Sequence, residues 1–146
     1  MIAHFSLICI KEIHMEENLN FDERADLAYD LKSTGQGNCT QVVLKAFEDK
    51  MPLSPDDYMK LSAGFAVGMG CMESTCGALI GAVMVAGILS EGKGTAKIAK
   101  SMLLNFKEKC GDTICKKLKG IGEDKVLCEC PDCCKNAVLS LKESIG

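Results

Sequence analysis

Ten cysteines in a chain of 146 residues, against two histidines, two tyrosines and no tryptophan, put the chemical capacity of this sequence on sulfur. Four of them, Cys39, Cys76, Cys115 and Cys134, fall in or beside the first turn of a predicted helix. Unpaired amide hydrogens and the positive end of the helix dipole favour an anion there. A thiol so placed has its pKa lowered from about 8.5 toward neutrality, and its thiolate is both a nucleophile and a ligand for thiophilic metals. The same four residues therefore suit thiol–disulfide exchange, or coordination of zinc or an iron–sulfur cluster. A third reading makes them packing residues, since free cysteine is among the most buried residue types. Four such residues at helix starts weigh against it.

The other cysteines are less uniform. Cys130-Pro131-Asp132-Cys133 is a CxxC with proline at a helix start, the spacing used by thioredoxin-type oxidoreductases, but no alternation of strands and helices surrounds it. With Cys128 and Cys134 it forms a four-sulfur group within seven residues that could also be a metal site, although adjacent Cys133 and Cys134 cannot easily aim at one ion. Cys71 and Cys76 flank a loop and could pair with each other or with a distant thiol. Cys110 ends an apolar face and reads as core, and Cys9 carries no assignment. Both histidines, His4 and His14, precede the first clear helix, so a Cys-His hydrolase lacks its base. No CxxCH occurs for haem attachment, and Gly68-Met69-Gly70 does not continue into a dinucleotide-binding fingerprint. The methionines read as gap-fillers.

The elements that must position these thiols read as helices, punctuated by glycine, proline and capping residues, with almost no alternation that would argue for strands. The first covers Asp22 to Ser33, with Phe21, Ala25, Ala28 and Leu31 on one face. The second starts after Asn38, whose Gln41 three residues on completes a capping box, and buries Val42, Val43, Ala46 and Phe47. Ser54-Pro55-Asp56-Asp57 opens a third, burying Tyr58, Leu61 and Phe65. Gly64 to Gly70 forms a turn, after which Ser74 or Thr75 caps a long apolar helix to about Ser90. Gly77, Ala78, Gly81 and Ala82 thin this helix so that a neighbour can approach. Thr95 to Lys109 is amphipathic through Ala99, Met102, Leu103 and Phe106, Asp112 caps a short helix reaching Leu118, and the last helix starts at Pro131. The expected fold is all-α: a single-domain bundle of about six helices around the Gly/Ala-rich apolar one. Residues 1–15 read as a leader outside this pattern, and 16–146 as one domain.

Composition narrows the function classes. No secretory signal precedes Glu16-Glu17, so the compartment is expected to be cytoplasmic and reducing, where clustered cysteines favour metal binding or redox chemistry over structural bridges. From Leu61 to Leu89 the only charge is Glu73, but glycines interrupt the stretch and the apolar run after Cys76 falls short of the roughly eighteen residues of a membrane span. Residues 1–92 carry six basic and thirteen acidic side chains, residues 93–146 eleven and seven. Helix faces that complement each other within one fold account for this. Nucleic-acid binding is not expected, because the basic part lacks interleaved aromatics and the whole chain is acidic.

In order and spacing these residues resemble the redox-active protein family named C_GCAxxG_C_C, over roughly Gly37 to Leu141. The early motif is Gly37-Asn38-Cys39-Thr40-Gln41-Val42-Val43 and the diagnostic one Cys76-Gly77-Ala78-Leu79-Ile80-Gly81. Phe106-Lys107-Glu108-Lys109 followed by Cys115-Lys116-Lys117-Leu118 resembles the third element, and Cys133-Cys134 ahead of Val138 the fourth. The doubled pair offers two candidates for the fourth cysteine, and the helical face favours Cys134. Cys71, Cys110, Cys128 and Cys130 are extra to the pattern.

The leading expectation is a thiol-based redox protein, compatible with a thiol–disulfide oxidoreductase, in which Cys76 exchanges with one of Cys39, Cys115 or Cys134. It requires no cofactor, and its partner is a redox protein or a small thiol; self-association is left open. The alternative is a metal-binding protein in which Cys39, Cys76, Cys115 and Cys134 or Cys133 hold zinc or an iron–sulfur cluster. Cys71, Cys130, Cys133, Gly77 and Gly81 are secondary site candidates.

Overall fold

Short polar residues start two of the helices where the sequence places them. The Asn38 side chain accepts the Gln41 amide at 2.9 Å, and the Gln41 side chain accepts the Asn38 amide at 2.9 Å, a complete capping box. Ser54 accepts the Asp57 amide at 3.2 Å ahead of Pro55. In the computed structural model, which describes residues 19–145, seven α-helices result. They are α1 (Phe21–Ser33), α2 (Cys39–Ala46), α3 (Pro55–Ser62), α4 (Gly77–Leu89), α5 (Thr95–Cys110), α6 (Cys115–Leu118) and α7 (Cys130–Ile145). No strand forms among the described residues; a single bridge joins Thr75 and Ile114. The fold is therefore all-α, as expected. The proposed leader, residues 1–15 with His4, Cys9 and His14, lies outside the described residues.

Helix α4 packs on α2, α5 and α7, and α7 also covers α1. Small residues allow the α2–α4 approach. A side chain at Gly81 would place Cβ 2.9 Å from the Thr40 carbonyl oxygen and 3.2 Å from Val43 Cβ. At Gly77 it would lie 2.7 Å from Thr40 Oγ1, which instead donates to the Gly77 carbonyl at 2.8 Å. Val42, Phe47, Leu79, Val85, Met102, Phe106, Val138 and Leu141 fill the core around this seam. No helix among the described residues is long and apolar enough to cross a membrane.

Three ion pairs join the acidic and basic parts of the chain: Lys116 to Glu73 at 2.8 Å, Lys135 to Asp26 at 3.0 Å and Lys142 to Asp22 at 2.9 Å. Within the acidic part, the Arg24–Asp49 pair is bidentate at 2.6 and 2.8 Å, with the guanidinium 4.8 Å from the Phe47 ring centroid. Arg24 holds the Asp49 carboxyl below its ordinary 3.8. Because the folded value is the lower one, the stabilisation is complete above about pH 4 and is lost as pH falls through the lowered pKa. Asp49 is 57% exposed, so Asp49→Asn is expected to cost under about 1 kcal/mol at pH 7. Denaturation of both proteins at neutral and strongly acidic pH should show that difference shrinking in acid.

Several local expectations shift: Leu103, expected on the inward face of α5, is exposed. Leu61 is 66% exposed, and the buried position beside it is Ser62, whose hydroxyl donates to the Tyr58 carbonyl at 2.6 Å. A helix of eight residues has few inward positions, and Tyr58 and Ser62, one turn apart, occupy them. Cys76 itself, not Ser74 or Thr75, occupies the cap of α4. Helix α7 starts at Cys130, with the Cys133 amide donating to the Glu129 carbonyl at 2.9 Å, so Cys134 is its fifth residue and lies past the first turn.

Candidate functional site: a thiol-lined cavity

Two helix starts are tied side by side. The Cys76 amide donates to the Thr113 carbonyl at 2.8 Å and the Cys115 amide to the Ser74 carbonyl at 3.0 Å, across the Thr75–Ile114 bridge. Asp112 Oδ1 accepts the Thr113 and Ile114 amides at 2.7 and 3.0 Å, which turns the chain into α6. Gly68 makes room on the other side: a Cβ there would lie 2.6 Å from Cys115 Cβ. Its neighbour Val67 adopts a left-handed φ of 53°, and Met69 and Met72 follow at 62° and 63°. For a β-branched residue this conformation costs on the order of 1–2 kcal/mol, so strain is held in the cavity wall.

The cavity has a volume of about 60 Å³, and Cys39, Cys76, Cys115, Cys128, Cys130 and Cys133 line it, together with Asn38, Lys32 and Lys119. All nine described cysteines are free thiols. Cys39 and Cys130 are half-buried, whereas Cys76, Cys115, Cys128 and Cys133 are buried. Cys134 is fully buried behind Cys39 and directs its thiol at the Cys39 carbonyl at 3.9 Å. Cys71 is exposed, does not line the cavity, and its thiol faces the Gly68 carbonyl at 3.8 Å.

Two groups of sulfur meet at this cavity. In the first, the thiols of Cys130 and Cys134 both act on Cys39. Cys130 favours the Cys39 anion, but Cys134, burial and the nearby Cys76 outweigh it and push Cys39 up to about 12. Cys39 and burial raise Cys130, against the smaller pull of Lys119 and Lys32. In the second group, the sulfurs of Cys110, Cys128 and Cys133 all lie within 4.8 Å of one another, and those of Cys110 and Cys128 are 3.3 Å apart. The Cys128 and Cys133 thiols together favour a thiolate on Cys110, whose pKa is lowered, while those of Cys128 and Cys133 are raised.

Cys76 sits between the groups. The Cys133 thiol lowers its pKa below the ordinary 9.0 against the opposing effect of burial. The Leu79 and Ala78 amides at the start of α4 act in the same direction, without the short geometry of a side-chain cap. Cys115, by contrast, is raised, chiefly by burial.

Of the cysteines singled out in the sequence, Cys39, Cys76, Cys115, Cys130 and Cys133 share the cavity, Cys134 backs it and Cys71 stands apart. The doubled pair divides: Cys133 faces Cys76, Cys110 and Cys128, and Cys134 faces Cys39. Among the described residues, the three sulfurs near enough for one ion are Cys110, Cys128 and Cys133, not Cys39, Cys76, Cys115 and Cys134. The sequence reads Cys110 as core alone and places Cys128 only within the four-sulfur group of residues 128–134, so neither is paired with the other there. Cys110 does pack in the core, at 4% exposure. Its one further signal is its place as the last residue of α5 before Gly111, where a left-handed φ of 98° ends the helix.

A helical domain in which thiols from α2, α4, α6 and α7 converge on one cavity is a cysteine-centred thiol protein. Comparison with known proteins agrees with that class. The chain belongs to the C_GCAxxG_C_C family, described as "putative redox-active protein", whose model matches residues 37–144. No curated protein and no solved structure matches the chain.

Proposed function

We propose that this is a thiol–disulfide redox protein in which Cys76 is the attacking thiolate and Cys39 the thiol that resolves it. One observation carries the reading: Cys76 at the start of α4 and half-buried Cys39 at the start of α2 line the same cavity. Gly77 supports the pairing, because a Cβ there would stand 3.6 Å from Cys39 Cβ, between the two helices that the disulfide joins.

The Cys76 thiolate attacks one sulfur of a disulfide on a partner protein or small molecule, and the other sulfur leaves as a thiolate. Cys39 then loses its proton to that leaving thiolate and attacks the Cys76 sulfur. The Cys39–Cys76 bond forms, the mixed disulfide breaks, its leaving thiolate takes a proton from solvent, and the partner departs as a dithiol or two thiols with the electron pair. The reverse sequence returns the protein to its reduced form. Lys32 and Lys119 on the cavity wall favour the departing anion. Cys115 and Cys134 belong to this centre as a second wall thiol and as the buried neighbour that tunes Cys39. The chemistry needs no bound cofactor and suits a reducing, cytoplasmic compartment.

The test is to equilibrate the reduced protein with glutathione buffers of rising potential and map the disulfides that form. A reversible Cys39–Cys76 link is expected. A map in which Cys76 enters no disulfide would refute the reading.

A further inference from the structure

We infer that Cys110, Cys128 and Cys133 form a three-thiolate site for a thiophilic divalent ion, with zinc as the fitting case. The inference goes beyond the redox reading, because it rests on Cys110 and Cys128, which that reading leaves idle.

The three residues come from separate segments, the end of α5, the loop before α7 and the end of the first turn of α7, yet their sulfurs lie within 4.8 Å of one another. Three sulfurs around zinc at about 2.3 Å stand roughly 3.8 Å apart in tetrahedral geometry. The 3.3 Å between Cys110 and Cys128 and the 4.8 Å within which all three sulfurs lie stand on either side of that value. An all-sulfur donor set excludes hard cations such as magnesium and calcium.

A second observation separates an ion site from a simple pair of thiols. The Asn136 side-chain amide, one helical turn beyond Cys133, donates to Cys110 Sγ at 3.4 Å and to Cys128 Sγ at 4.0 Å. It holds both acceptor sulfurs toward the third, as outer-shell groups do around metal ligands. A Cys110–Cys128 disulfide would use two of the three sulfurs and leave this arrangement without purpose. The ligands are 4%, 9% and 3% exposed, and Cys128 and Cys133 reach the cavity, so an ion has a route in and solvent can complete its fourth position.

The full chain, reduced and stripped of metal under anaerobic conditions, should bind one zinc ion. Cobalt in its place should show thiolate charge-transfer absorption. Zinc should protect Cys110, Cys128 and Cys133 from alkylation while exposed Cys71 still reacts, a measurement on the natural sequence that depends on no variant folding. Cys110→Ser and Cys128→Ser should each weaken binding by more than about 100-fold, and Asn136→Ala by about 10-fold. Cys39→Ser should lose the proposed disulfide but keep zinc, and Cys110→Ser should do the reverse, so the two readings fail separately. Absence of zinc protection at these three cysteines overturns the inference, as does an unchanged cobalt spectrum in both ligand variants.

Discussion

Cys76→Ser is expected to reduce disulfide exchange with oxidised glutathione to the background rate while leaving the fold at least as stable as before. The hydroxyl is no nucleophile toward disulfides at neutral pH, and no other cavity thiol combines a helix-start position with a lowered pKa. Stability should move the other way. Residue 76 occupies the cap of α4 with φ −49° and ψ 128°, and serine is among the best capping residues. Its oxygen can accept the Ala78 or Leu79 amide more closely than sulfur does, for a gain of up to about 1 kcal/mol. Stopped-flow exchange rates and a thermal melt on the same variant separate the two effects. Exchange that continues at the parental rate would remove Cys76 from the mechanism. In the parent, because Cys76 ionises below its ordinary 9.0, the rate should hold as pH falls below that value and decline only below the lowered pKa.

Gly120→Ala should be the most destabilising single methyl in the chain, at about 3 kcal/mol, from overpacking together with left-handed strain. At φ +69° an added Cβ would stand 2.1 Å from the Lys125 carbonyl oxygen and 2.7 Å from its carbon, both backbone atoms that no rotamer change can clear. The loop it closes returns Leu127 and Cys128 to the Leu118 carbonyl, with amide bonds of 3.0 and 3.2 Å. A fall in Tm of roughly 10 °C is expected. Hydrogen exchange should show the Leu127 and Cys128 amides losing protection first. A melt within two or three degrees of the parent would show that the loop relaxes freely.

Much of the fold was legible because its signals are local. Asn38 with Gln41, Ser54 with Pro55, and the Gly/Ala thinning of α4 each act within a turn or two, and each was matched by the structure. Placing thiols at the starts of packed helices points to Cys39, Cys76, Cys115 and Cys134; the first three line one cavity, Cys134 backs it, and Cys130, only a secondary candidate in the sequence, lines it as well. The remainder depends on contacts far apart in sequence. The Thr75–Ile114 bridge is a single pair and leaves no periodicity to read. Cys110 meets Cys128 only because Gly111 and Gly120 turn the chain back on either side of α6. Cys134 was favoured over Cys133 on its apolar face, but α7 is buried across both positions, so the pattern could not assign their neighbours.

Consecutive residues on an α-helix point about 100° apart. Cys133 and Cys134 therefore make α7 a shared axle between the two sulfur groups, one on each flank. Thermodynamic reciprocity then requires that whatever an ion at Cys133 does to the midpoint potential of the Cys39 flank, oxidation of that flank does equally to the ion's affinity.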